Sequence, residues 1–328
     1  MDLGKRLFPL VIFLTACSAG TCAEKWYLAV GHGGQRMLSQ DGQTWTHHVA
    51  WGEPKHDQND LNVAANFQGT MYAAGGYFSG RITATRDGKT WSEGVIPGSS
   101  PIFGLEVVEK TLYAIDLRGK VFKSADGETW KMVAAAEMPT KTHWIRSTSQ
   151  GNGLIVGSGD YGPVIVFDIA KETIAVHQLA GQVDKNATWK RTAFGNGTFV
   201  VGGQAGLLAS STDGIKWKKN ETVPERGDIF CVEFHQDRFY ATTSKGTVTS
   251  KDGTTWEVIE GTPFPRQLRS VNQQLFGYSW PPSKISLFGK DKKWQLIAND
   301  RGWQGKAYCF GELSGGNPPA LPQPKIKK

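Results

Sequence analysis

The sequence predicts an all-β protein: a seven-bladed β-propeller of four-stranded blades, closed by a C-terminal strand that completes the first blade. Three observations predict it. An Asp-Gly-x-x-Trp motif recurs, its copies lie about 40 residues apart, and the two ends of the chain hold complementary parts of one repeat.

The motif begins at Ser39 ("SQDGQTW"), Thr85 ("TRDGKTW"), Ser124 ("SADGETW"), Ser211 ("STDGIKW") and Ser250 ("SKDGTTW"). Asp-Gly between short β runs marks a hairpin, because these residues accept the positive φ that the turn requires. The carboxylate can accept turn amides, and the tryptophan can fill the space between neighbouring blades. Trp45, Trp91, Trp130, Trp217 and Trp256 are spaced by 46, 39, 87 and 39 residues. The 87 is about twice the others and hides a degenerate unit, "VIVFDIAKETIAV", with Ile174 at the tryptophan position. A further degenerate copy, "SLFGKDKKWQLI", carries Trp294, 38 residues past Trp256. Seven units result.

Each unit reads as four strands. In "WKRTAFGNGTFVVGGQAGLLASSTDGIKWKKN" the first ends at Gly-Asn-Gly, "TFVVGG" and "GLLASS" follow, and Asp-Gly leads into "IKWKKN". The first unit begins at "KWYLAVGHGG", which matches a second strand. Near the C-terminus "KAYCFGEL" is an unmatched first strand resembling "DIFCVEFH" of the sixth unit. Joining the two closes the ring and leaves no sheet edge open. By that likeness Cys231 and Cys309 share one register two blades apart. A disulfide needs Cα atoms within about 7 Å, so both are expected to be free, buried thiols.

Forty glycines, 12 tryptophans and 20 % charged residues suit tight turns with aromatic packing and exclude disorder. No CxxC or Cys/His cluster has zinc spacing, and no Gly-x-Ser-x-Gly elbow, P-loop or HExxH occurs. The net charge of +7 is spread along the chain, which argues against a nucleic-acid partner.

The first residues read as an export signal: Lys5 and Arg6, then the apolar "LFPLVIFLTA". "LTAC" resembles the bacterial lipobox, which implies lipidation of Cys17. The other reading is an ordinary signal cut near Ala23. The expected organisation is a lipoprotein-type signal over 1–16, a tether over 17–24, the propeller over 25–313 and a disordered, Pro-rich basic tail over 314–328. The expected location is the cell envelope or outside the cell, with the membrane reached only through the lipid.

The five boxes resemble the Asp-box, or sialidase-type BNR repeat, of sialidases, sortilin-type receptor ectodomains and the photosystem II assembly factors of chloroplasts and cyanobacteria. The usual pattern is S-x-D-x-G-x-T-W; here it is one residue shorter. The resemblance implies that the box joins third and fourth strands on the face away from the functional site and does no chemistry. It is closer to the non-catalytic sortilin-like and assembly-factor-like propellers than to true sialidases.

Ligands of a propeller bind where loops into first strands, and from second to third strands, converge. "THWIRSTS" and "ATWKRTAF" place Trp144 with Arg146 and Trp189 with Arg191 on adjacent blades, and "RQLRSVN" puts Arg269 at nearly the same level. Three guanidiniums around one channel repel unless an anion or carboxylates sit between them. The plain alternative pairs them with acids such as Asp160 or Asp228, with the tryptophans capping blades. Asp60, Tyr77, Phe78, Tyr161 and Trp280 lie on loops of the same face and suit sugar or peptide recognition.

A sialidase would need an Arg-Ile-Pro, but "GRIT" at Gly80 lacks the proline and falls on a second-to-third strand link. Asp60, Asp116, Asp160 and Asp228 leave a two-carboxylate glycosidase open. The leading reading is a monomeric, non-catalytic binding or scaffold protein for a protein or glycan ligand, with the arginines suited to an anionic group. The alternative is a glycan-acting hydrolase of sialidase-like architecture. No catalytic, metal or cofactor residue, and no cofactor, is assigned.

Overall fold

A computed structural model of the chain describes residues 24–49, 59–161, 163–179, 189–220, 227–260, 265–279, 284–289, 291, 293–299 and 305–323. The expected signal, Cys17 and Trp280 lie outside them, as does the side chain of Trp189.

Seven antiparallel four-stranded sheets form the ring. In blade one the inner strand is the last of the chain, Gly305–Glu312, paired to Lys25–Gly31 with Leu28 opposite Cys309. The closing strand is therefore as the sequence predicts. The other inner strands are Leu61–Phe67, Ile102–Val108, Ile145–Gly151, Trp189–Gly195, Ile229–His235 and Gln267–Val271, in blades two to seven.

Six of the seven inner strands carry a β-bulge at the same place, just inside their first residue. There two residues oppose one on the partner and the strand kinks. Only blade seven pairs without the shift. The bulges set the register and correct two alignments made on sequence. Ile145, not Trp144, matches Trp189, because each precedes its bulge. Arg146 is thus a bulge residue, whereas Arg191 is the residue after one. Likewise Ala307, not Cys309, matches Cys231. Both cysteines are free and buried.

The five Asp-Gly hairpins are near-copies. In each, Asp Oδ1 accepts the amides two and three residues on, at 2.7–2.9 Å. The glycines sit at φ between 69° and 76°, where a Cβ is unfavourable. Each tryptophan packs towards the preceding blade: Trp91, Trp130, Trp217 and Trp256 join the cores between blades one and two, two and three, four and five, and five and six. Side chains at the first turns of three blades complete a clasp. Gln68, Asn152 and Asn196 donate to the box carbonyls of Ala125, Thr212 and Lys251 in the next blade.

These carboxylates are held ionised. Turn amides bring Asp41 down to about 2 and also lower Asp213. At Asp87, Asp126 and Asp252 burial pushes upward, and the turn amides outweigh it. A carboxylate with a depressed folded-state pKa contributes stability above its unfolded value, near 4, and loses it as pH falls through the folded one. Resistance to urea unfolding should therefore fall steeply between about pH 4 and pH 2. Asp41→Asn should flatten part of that slope; an unchanged slope in the variant would refute the assignment.

The tail differs from expectation. Residues 314–323 are not free of the body but cross blade two. Ser314 N donates to Gly69 O at 2.8 Å and Gly315 N to Arg86 O at 2.7 Å. Val95 N donates to Pro322 O at 2.7 Å, and Leu321 is buried in the core between blades two and three. The Pro-rich composition masked two features that favour docking: a leucine to bury, and an outer strand, Ser92–Val95, with unpaired amides to meet.

Candidate functional site

All seven inner strands line a cavity of about 310 Å³ in the central channel. The bulge decides which arginine points where. Arg146 stands at the mouth, with Nε and Nη2 on Asp160 Oδ2 at 3.1 and 3.0 Å. Its guanidinium lies over Trp144 at 4.8 Å and over Phe103 at 5.4 Å. The plain reading, an ion pair with Asp160, holds for this residue.

Arg191 and Arg269 lie deeper and come together. Arg269 Nη1 pairs with Glu233 Oε2 at 3.5 Å and donates to Leu268 O at 2.8 Å. Glu233 Oε1 also accepts Ser270 N at 2.9 Å. Arg191 donates through Nε and Nη2 to Gln267 Oε1, at 3.3 and 3.2 Å, and through Nη1 to Arg146 O at 3.5 Å. Among the described residues no carboxylate lies within ion-pair range of Arg191. Burial and then the charge of Arg269 lower its pKa. For Arg269 burial works downward too, but Tyr278, Glu233 and Cys231 outweigh it and raise the pKa. Burial pushes the Glu233 carboxyl upward against the pull of Arg269.

The remaining expected residues are dispersed. Asp60 is tied between His32 Nδ1 at 2.7 Å, Gly33 N at 3.2 Å and Lys306 Nζ. Asp116 accepts the amides of Ser100, Arg118 and Lys120, each at 2.9 Å, and caps its turn. Asp228 accepts Ala205 N at 2.8 Å. Tyr161 lies edge-on to His143, with centroids 5.6 Å apart.

Three residues of the cavity region escaped the sequence reading: Glu106, Glu233 and Gln267. The acids had a signal, since each is an acid inside an otherwise apolar inner strand ("GLEVV", "CVEFH"). Gln267 had none, because its role depends on reaching Arg191 two blades away. Burial carries the Glu106 carboxyl up to about 7, with Thr148 Oγ1 donating to it at 2.7 Å. An acid/base pair needs carboxyls pushed apart, whereas Glu106 and Glu233 are both pushed upward.

Glu106 also gives a prediction. A carboxyl whose folded pKa is raised costs stability as pH climbs from its unfolded value, near 4.5, to about 7. Glu106→Gln should therefore gain on the order of 2 kcal/mol at pH 8 and nothing at pH 4. Urea unfolding at both pH values checks it; equal effects would refute it.

No family model and no curated protein matches the chain. Solved structures do. YCF48 bound to D1 peptide superposes with a TM-score of 0.57 at 13% identity, over 80% of this chain and 85% of that one. YCF48 from Cyanidioschyzon merolae gives 0.57 at 15%, over 78% and 93%. A catalytically inactive virginiamycin B lyase from Staphylococcus aureus, with quinupristin, gives 0.59 at 10%, over 72% and 83%. The likeness is one of fold. At these identities a shared propeller frame is what it establishes.

Proposed function

We propose that this protein is an exported, lipid-anchored propeller that binds a protein or peptide ligand without catalysis, at the mouth of the channel and through an anionic group. One observation carries the reading: Arg191 is inside the channel beside Arg269, and among the described residues one carboxylate, already bonded to Arg269 and Ser270 N, serves the two. A guanidinium without an acid suits a carboxylate or phosphate brought by a ligand. A peptide is preferred because YCF48, a neighbour in fold, is known bound to one. On the same face Tyr77 and Phe78, 57% and 74% exposed, pack edge-to-face at 4.8 Å and offer an apolar contact beside the charge.

Thermal melts of the wild type and of Arg191→Ala, with acidic peptides and acidic sugars, test the site. The wild type is expected to gain a ligand-induced shift that the variant lacks. No shift with any of these ligands, together with a less stable variant, would sink the reading. The anchor is tested separately. Cys17→Ala should move the protein from the membrane to the soluble fraction, and unchanged fractionation would remove the lipid from the proposal.

A further inference from the structure

Blade seven lacks a true Asp-box, and the wedge between it and blade six is built differently from the rest. In place of the box, Gly289 N bonds Lys293 O, and Asp291 Oδ1 accepts Lys293 N, at 3.2 Å. Among the described residues Cys231, Leu268 and Leu275 form the buried apolar cluster of this wedge, whereas each other wedge has at least seven such residues. Tyr240, Phe288 and Trp294 pack against that small cluster, and the wedge is open beside them on the box face.

The result is a groove of about 1000 Å³ on the box face, opposite the channel mouth. Six carboxamides line it: Gln43, Gln236, Asn272, Gln273, Gln274 and Gln295. Gln274 Oε1 is buried there without a hydrogen-bond donor among the described residues. Tyr240 and Phe288 add aromatic surface, and burial of His235 lowers its pKa, which keeps the ring neutral at pH 7. The single guanidinium, Arg238, is held by Glu257 and by Thr249 Oγ1 at 3.1 Å. Asp237 and Glu260 stand on the rim with no cation bonded to them among the described residues.

We propose that this groove is a second binding site, for a neutral oligosaccharide. Asn272 Nδ2 donates to Tyr27 Oη at 2.7 Å, but Gln43, Gln236, Gln273 and Gln295 can each present a donor and an acceptor side by side, the pattern that adjacent sugar hydroxyls match. Aromatic faces cover the C–H surface of a sugar ring. The rim acids disfavour an anion, so the site is distinct in chemistry as well as in place from the arginine channel. The volume accommodates a few sugar rings, since drug-sized ligands occupy roughly 300–1,000 Å³.

Isothermal titration calorimetry and saturation-transfer NMR on the full chain, with chitotetraose, maltotetraose and mannotetraose, test it. At least one should bind saturably at or below about 10 mM. Affinity should fall roughly tenfold or more in Gln43→Ala with Gln295→Ala, and in the blocking variant Gln295→Trp. Both positions are exposed and their side chains hold no hairpin, so melting should stay as in the wild type. Arg191→Ala should bind sugar normally, which separates this site from the channel. Three outcomes would overturn the proposal: no binding by any of the three, binding unaltered in both groove variants, or binding of hexa-arginine through the groove with none of sugar.

Discussion

Glu233→Ala is expected to lose about 3 kcal/mol of folding stability, whereas Arg191→Met should leave it unchanged or slightly higher. The two side chains share one charge cluster but play opposite parts in it. Among the described residues Glu233 is the only carboxylate on Arg269, and it also accepts Ser270 N. Removing it leaves two guanidiniums close together in a channel where Ser147, Thr148, Gln150 and Thr192 offer neutral polar groups but no replacement charge. A buried ion left without its partner typically costs about 3–5 kcal/mol, because the lost attraction leaves the desolvation penalty behind. Arg191, by contrast, carries like-charge repulsion from Arg269 and is balanced by a neutral amide, Gln267 Oε1. Methionine keeps most of its volume and removes the repulsion. Urea unfolding of both variants at pH 7 decides. A large loss for Arg191→Met would mean that the arginine is structural, and the channel would then need no anion from a ligand.

Ending the chain after residue 304 is expected to abolish the folded monomer. The segment from Gly305 to Glu312 is the inner strand of blade one and supplies Ala307, Tyr308 and Cys309 to the cores on its two sides. Tyr308 stacks on Phe276 of blade seven at 5.3 Å and an interplanar angle of 6°, and Lys306 O accepts Tyr278 Oη at 2.9 Å. Without the strand, blades seven and two lose the element between them, and the amides and carbonyls of Lys25–Gly31 become an open edge. Such edges template pairing between chains, so gel filtration should show aggregate. Ending the chain after Leu313 is the control. It keeps the ring and removes the strap on blade two, including the buried Leu321, for about 2 kcal/mol. A soluble, cooperative product from the shorter chain would show that ring closure is dispensable.

The architecture was legible because its signals are local. A box turn is specified within seven residues, since Asp, Gly and Ser or Thr satisfy one another's backbone groups. Its tryptophan marks the period, and complementary end fragments specify closure. The channel was only partly legible. Its arginines could be found from their recurrence, but their grouping could not. Placing Arg146 level with Arg191 assumed straight strands, and one bulged residue moved it to Asp160 and left Arg191 with Arg269. The six-to-seven groove had a trace in the degenerate "GKDKKW", but its carboxamides come from three blades.

The sequence alone thus determined the repeat, the blade number, the way the ring closes and the face that carries the boxes. Each follows from contacts within one hairpin or from the chain's own period. Tertiary structure alone decided which charges meet, where the tail lies and which wedge stays open. Those depend on side chains some 40 to 250 residues apart, such as Arg191 with Gln267, Glu233 with Arg269 and Gly94 against Leu321. Their meeting rests on strand register and ring geometry, and a shift of a single residue redirects every side chain that follows it.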